Sequence, residues 1–352
     1  MPKESMTPKE RWLAVLTREK PDRVPMDYWA TPETTAMLMK HIGCSSKEEL
    51  MKKIHMDMSV KVKPRYVGPS LSRGCDVFGC KHKKMDYGTG TYKECVFHPL
   101  AEYDTVEDVE RYYTWPDPDW WEYGSIKAQV KGKEMYPILG GHYEPFLIYK
   151  DLRSPEQAFS DLIDNPELVH YCLDKLFDLS FTDIRRIFGQ IPGKVMLTYV
   201  AEDMGSQEDL MISPPHIREF LLPRMKRIIE FVHQNRAFVF HHNDGSIRRI
   251  IPDMIEIGID ILNPIQWRCR DMDRKELKRD FGDKVVFHGA MDNQSTLPFG
   301  SIEEVRSEVL DNLEFLGDGG GYILAPCHNI QSITPVENIL AMYETGYEFG
   351  WT

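Results

Sequence analysis

Alternation is the feature that most constrains this chain. Short apolar runs rich in β-branched and aromatic residues recur along it, separated by polar loops and amphipathic stretches. Eight such runs predict strands at 23–29, 58–62, 136–140, 195–200, 237–241, 259–263, 284–288 and 321–325. The clearest helices follow the later runs, at 215–234, 247–257, 273–281, 302–316 and 335–343. Pro252 falls inside the second of these, so that helix is kinked there or begins later. At the other end, Thr7-Pro8-Lys9-Glu10 reads as a capping box opening a helix through Trp12, Leu13 and Leu16, which Pro21-Asp22 ends. Eight strand–helix units without a dinucleotide glycine fingerprint predict an α/β fold, a closed (β/α)8 TIM barrel, with an open sheet as the alternative.

Residues 74–133 break this rhythm. Tyr87-Gly88-Thr89-Gly90-Thr91-Tyr92 reads as a hairpin turn, Thr105 as a helix cap, and Trp115-Pro116-Asp117-Pro118 as a rigid connector. The segment is expected to be a hairpin and helix insertion over one end of one barrel domain spanning 1–352. With 43 Lys plus Arg against 55 Asp plus Glu, the net charge of −12 argues against nucleic acid or an anionic membrane as partner. No apolar run reaches the ~18–20 residues of a membrane span, and seven scattered cysteines suit a reducing cytoplasm. The expected setting is cytoplasmic, and a homodimer is compatible with it.

In a barrel of this kind the active site gathers at the C-terminal ends of the strands. Those positions hold Tyr28 and Trp29; His142, Tyr143 and Glu144; Glu202 and Asp203; and His242 and Asp244. The later strands add Asn263 and Gln266; His288 and Asp292; and Cys327 and His328. His242 and Asp244 share a side by the two-residue period of a strand, and Cys327 can add a thiolate, which together suit a catalytic zinc with one open position. The competing reading makes Asp244 a helix N-cap. Glu202 and Asp203 could act as a proton-donor pair, or simply as a solvated loop. The cysteines and histidines at 75, 80, 82, 95 and 98 match no standard zinc-finger spacing, and a second metal is not expected there.

Several separate strings then carry a resemblance. They are Thr7-Pro8-Lys9-Glu10-Arg11, Pro21-Asp22-Arg23-Val24-Pro25, Glu202-Asp203-Met204-Gly205-Ser206-Gln207 and His242-Asn243-Asp244-Gly245. Asn263-Pro264-Ile265-Gln266, His288-Gly289-Ala290-Met291-Asp292 and Ala325-Pro326-Cys327-His328-Asn329 complete the set. In this order they resemble the uroporphyrinogen decarboxylase superfamily, whose fold is a (β/α)8 barrel. True uroporphyrinogen decarboxylases carry an arginine-rich loop after the first strand. Here that place reads Met26-Asp27-Tyr28-Trp29-Ala30, which lacks bidentate partners for a polycarboxylate porphyrin.

The chain is more similar to the corrinoid-dependent methyltransferase branch. Its coenzyme M members use a zinc site of pattern His-x-Cys plus a distant Cys, matched here by His242 and Cys327, with Asp244 where the first Cys would stand. The resemblance implies a zinc-assisted methyltransferase acting between a small methoxylated, aromatic O-methyl compound and a corrinoid (cobalamin) carried by a partner protein. His242, Asp244 and Cys327 would hold zinc, and Glu202, Asp203 and His142 would serve as catalytic acids or bases. Tyr28, Trp29, Tyr143, Gln266 and His288 would contact substrate. The alternatives are a metal-free decarboxylase of another carboxylate, anchored by Asp203 or Asp292, and a non-catalytic corrinoid- or tetrapyrrole-binding barrel.

Overall fold

In the computed structural model of the chain, residues 3–86, 88 and 91–352 are described. Its strands are β1 (Val60–Val62), β2 (Arg65–Tyr66), β3 (Lys81–Asp86), β4 (Thr91–Phe97) and β5 (Trp121–Glu122), then β6 (Ile138–Tyr143) and β7 (Leu197–Val200). β8 (Phe238–His242), β9 (Ile261–Asn263), β10 (Val286–Met291) and β11 (Tyr322–Pro326) follow. Seven of them form a curled, all-parallel sheet in the order β1-β6-β7-β8-β9-β10-β11.

The first expected strand, at 23–29, is an extended segment instead of a regular strand, because prolines at 21 and 25 remove ladder donors. It still completes the ring. Asp27 N–H donates to Leu324 O and Leu324 N–H to Pro25 O, each at 2.9 Å, while Asp57 N–H donates to Met26 O on the other side. The architecture is therefore the expected TIM barrel, seven regular strands plus one irregular one.

Local chemistry explains most helix boundaries. The capping box of Thr7 and Glu10 forms as the spacing demands. Proline opens each of the successive helices Pro145–Arg153, Pro155–Asp164 and Pro166–Gln190, where its missing N–H costs nothing. Pro252 stands at the second position of Ile251–Ile257, so that helix does begin later than its apolar pattern suggests. No helix among the described residues is long and apolar enough to cross a membrane.

Two cores result. Leu197, Tyr199, Phe240, Ile261, Val286 and Ile323 point into the barrel, where Trp12, Val15 and Leu16 of the first helix pack against them. The larger core lies between the strands and the surrounding helices. In the 74–133 segment β3 pairs with β4 and β5 with β2. Tyr87, Thr89 and Gly90 of the expected turn lie outside the described residues. The segment packs on helices Pro145–Arg153 and Pro166–Gln190. Tyr123 Oη donates to Asp183 at 2.5 Å, and Arg153 Nη1 donates to Tyr103 O at 2.8 Å.

Candidate active site

A cavity of about 680 Å³ opens at the C-terminal ends of the barrel strands, lined among others by Trp29, Lys61, His142, Tyr199, Asp203, His242 and His328. No described residue of 74–133 lines it; Lys47 and Met51 of the helix Lys47–Lys53 and the chain from Met56 to Lys61 flank it instead. In β8 the two-residue period sends Phe240 and His242 inward and Val239 and His241 outward, where His241 Nδ1 lies 2.8 Å from Val200 O. Asp244 follows on a tight turn. Gly245 there has φ +91°, and a Cβ at that position would lie 2.4 Å from Ser206 O, so only glycine fits.

The result is a compact donor set. Asp203, His242 and Asp244 each offer one ligand atom, all within 4.8 Å of one another. His242 Nε2 lies 3.7 Å from Asp203 Oδ1 and 3.8 Å from Asp244 Oδ2. Asp203 also accepts the Asp244 backbone N–H at 3.1 Å. The other Asp244 oxygen, Oδ1, is buried without a hydrogen-bond partner. Burial pushes the Asp244 and Glu144 carboxyls up, and the Asp203 charge adds to both shifts. Such crowding of acids around one imidazole is what a divalent cation relieves, so the residues present fit a zinc or similar ion.

A buried relay sets the direction of the His242 imidazole. The Trp29 indole and His288 Nε2 both reach Asp27 Oδ2, at 2.9 and 3.1 Å. Burial opposes the charge of Asp27, but hydrogen bonds from His288, Tyr28 and Trp29 outweigh it and hold the carboxyl below its usual range. Because Asp27 is ionised, His288 donates from Nε2 and its Nδ1 accepts from Asn263 Nδ2 at 2.7 Å. Asn263 Oδ1 is then left to accept from His242 Nδ1 at 2.5 Å. His242 Nε2 therefore faces the two carboxylates, and in the neutral imidazole it is the nitrogen whose lone pair a metal ion would take.

Aromatic rings line the adjoining wall. Trp29 stacks with His242 at 5.7 Å between ring centroids, and Lys61 Nζ lies 5.4 Å from the Trp29 ring. His142 stacks on Tyr199 at 3.9 Å and 4°. Desolvation, with the Lys61 charge adding to it, pushes the His142 imidazole down to about 4, leaving it neutral at pH 7. Tyr28 also lines the cavity, its hydroxyl 3.0 Å from Thr35 Oγ1.

Five expected site residues stand elsewhere. Both carboxylate oxygens of Glu202 accept the Phe146 N–H, at 2.9 and 3.0 Å, and cap the helix Pro145–Arg153 from outside the cavity. Tyr143 faces a separate apolar groove with Val62, Phe78 and Trp121, because the β6–β7 register shifts between Leu139 and His142. Gly141, at φ +91°, takes that shift, so His142 turns inward in place of its neighbour. Gln266 accepts the Gly245 N–H at 2.6 Å and supports the turn. His288 is fully buried within the relay and reaches no cavity wall. Cys327 does not join the donor set. β11 ends at Pro326, the Cys327 N–H bonds Met291 O, and the thiol turns to Ile265 O at 3.3 Å. His328 lines the cavity instead, its ring 6.4 Å from that of His242. Asp292, the alternative anchor, accepts the Thr296 N–H and the Arg268 side chain away from the cavity. Asp27 and Lys61 were missed by sequence reasoning. The one signal for Asp27 was an acid where the decarboxylases carry an arginine-rich loop.

The Uroporphyrinogen decarboxylase (URO-D) profile matches residues 76–349. Methylcobamide:CoM methyltransferase MtaA from Methanosarcina barkeri is 27% identical over 213 residues, covering 60% of this chain and 58% of that protein. A uroporphyrinogen decarboxylase from Pseudomonas fluorescens Pf0-1 is 30% identical over 221 residues, covering 58% and 56%. The chain thus spans under two-thirds of the length of these relatives. A solved structure, a methyltransferase from Methanosarcina mazei, superposes with a TM-score of 0.67 at 23% identity over 98% of this chain and 99% of that one, which establishes the shared barrel. Enzymes of two chemistries are thus related to it at similar distances, and the match over most of its length makes this chain a member of the uroporphyrinogen decarboxylase family.

Proposed function

We propose that the chain is a methyltransferase that moves a methyl group between a small methoxylated aromatic compound and a corrinoid carried by a partner protein, assisted by zinc. The observation that carries this reading is the lone pair of His242 Nε2, aimed at Asp203 and Asp244 inside an aromatic-walled cavity. Asp203, His242 and Asp244 would hold the ion, with His328 close enough to approach it. When bound, zinc supplies a Lewis acid that polarises an ether oxygen and eases departure of the phenolate.

The remaining residues have separate tasks. Trp29 and the stacked His142–Tyr199 pair offer flat faces to an aromatic ring. Neutral His142 can accept or relay a proton near the leaving oxygen. Glu202 is better explained as the cap of the helix Pro145–Arg153 than as an acid. A polycarboxylate substrate would meet Lys47 and Lys61 but also Asp27, Glu144 and Asp203, a poor match for several negative charges. The name of the MtaA relative, a methylcobamide:CoM methyltransferase, supports the corrinoid half of the reading.

The test is a methyl-transfer screen with zinc-loaded protein and a cobalt(I) corrinoid acceptor, read by cobalamin absorbance. Methylcobamide should form from a methoxyaromatic donor and fail to form with His242→Ala. No transfer from methoxyaromatics, methylamines or methylated thiols would overturn the proposal, and loss of carbon dioxide from a carboxylated compound would replace it with the decarboxylase.

A further inference from the structure

A second group of metal-ligating side chains lies in the 74–133 segment, away from the barrel mouth. His82 and Cys95 are register partners across the β3–β4 hairpin. Together with Asp151 of the helix Pro145–Arg153 they offer three ligand atoms within 4.8 Å of one another. Cys80, fully buried, sits just before β3 with its thiol beside that of Cys95.

The burial pattern singles these residues out. Among the described residues of β3 and β4, only His82, Met85 and Cys95 are partly buried. Val96 and Phe97 are about half exposed, at 48% and 54%. A two-stranded hairpin is marginal without an apolar face to bury. What this one turns toward the protein is mainly an imidazole and a thiol.

The surroundings are arranged as they are around a ligated histidine. Asp76 Oδ1 accepts the Phe78 and Cys80 N–H groups at 2.9 and 3.0 Å, which fixes the carboxylate. Its Oδ2 lies 3.0 Å from His82 Nε2, the carboxylate partner that orients a ligating imidazole, which leaves Nδ1 as the ring nitrogen for an ion. His98 Nδ1 donates to Asp151 O at 2.7 Å, and Leu100 N–H donates to Leu152 O at 2.9 Å, tying the end of the hairpin to the same helix.

We propose that His82, Cys95 and Asp151 form a second metal site of the zinc class, to which the ion would draw the neighbouring Cys80 thiol as a fourth donor, stapling the hairpin to the helix Pro145–Arg153. With Cys80 drawn in, one nitrogen, two sulfurs and one carboxylate oxygen would supply the four donors of a tetrahedral zinc site, with no open position for a substrate. On binding, two sulfur–metal bonds replace two S–H bonds and the protons pass to solvent. The site is independent of the function proposed for the barrel mouth.

The test uses the whole chain, with His242→Ala removing the barrel-mouth site. Apo protein loaded with zinc and passed through a desalting column should retain one equivalent in His242→Ala, and Cys95→Ser in that background should lose it. Cobalt(II) in place of zinc should give a thiolate charge-transfer band in His242→Ala that disappears with Cys95→Ser. If Cys95→Ser fails to fold, Asp151→Asn should weaken retention at least tenfold while both thiols stay in place. Zinc-free His242→Ala protein, a cobalt band unchanged by Cys95→Ser, or a Cys80–Cys95 disulfide in the metal-free protein isolated without reductant would each overturn the proposal.

Discussion

The side-chain oxygen of Asn263 lies 2.5 Å from His242 Nδ1, and this bond decides which nitrogen of the imidazole faces the cavity. Asn263 is itself oriented by His288, and His288 by Asp27. Four side chains from four different parts of the barrel thus prepare one lone pair. Asn263→Ala should leave the metal-binding carboxylates in place but release His242 to either tautomer. Zinc affinity should fall about 10–100-fold, as expected when the outer partner of a ligating histidine is removed. Chelator competition measures it, and unchanged affinity would mean the relay has no role in binding.

Asp244 tests the metal assignment from the other side. The next helical turn starts on Ile247 with no side-chain cap, so the N-cap role is vacant and Asp244 Oδ1 is unpartnered. Asp244→Asn should lose zinc and methyl transfer together. The apo protein should be no less stable than the parent, since one of three crowded acids has gone. Asp244→Cys should retain zinc and lose activity on an oxygen substrate, as a softer site favours thiol chemistry. Zinc analysis beside an activity assay separates these outcomes.

Glu202 and its neighbour should part company. Glu202→Gln keeps an acceptor for the Phe146 N–H, and burial already drives this carboxyl well above its ordinary range. Metal content and activity should stay within about twofold of the parent. Asp203→Asn, at the cavity, should impair both. Equal losses in the two variants would restore Glu202 to the chemistry.

Asp183 gives a prediction about pH. Burial pushes its carboxyl up to about 6, with the Tyr123 hydrogen bond only partly countering. Between about pH 4, where the unfolded chain ionises, and about pH 6, the folded state holds a proton that the unfolded state releases. Stability therefore falls as pH rises through that window, by about 3 kcal/mol, and stays lower above it. Asp183→Asn should be more stable than the parent at pH 7.5 and should lose this slope in urea titrations run across the window.

Asp57 ties the bottom of the barrel together. It takes the buried guanidiniums of Arg11 and Arg23 and accepts the Met26 N–H at 2.9 Å. Asp57→Ala leaves Arg11 with Asp22 and Arg23 with only the partly exposed Glu4 as carboxylate partners, and should cost about 3 kcal/mol in chemical denaturation. A loss below about 1 kcal/mol would show that water reaches them.

Much of the barrel was legible because its signals are local. Apolar runs alternate with helical faces, Thr7 and Glu10 are three residues apart, and proline opens helix after helix. The pairing of His242 with Asp244 follows from a strand period of two and one glycine turn. Where that period is broken, the residues alone mislead. Gly141 absorbs a register shift that exchanges His142 for Tyr143, and the end of β11 at Pro326 turns Cys327 away and His328 in. Whether Asp203 or Glu202 reaches the cavity depends on which one finds the start of a helix formed by other residues.

The sequence by itself determined the order of strands and helices, the strand ends at which chemistry could gather, and the donor types available there. Only the tertiary structure decided which donors meet. Asp27 and His288 are 261 residues apart in the chain, and barrel closure alone brings them to 3.1 Å. Periodicity is a property of neighbouring residues, set by backbone geometry. A hydrogen-bond relay is a property of the closed ring, set by register and by packing between strands that no local pattern links.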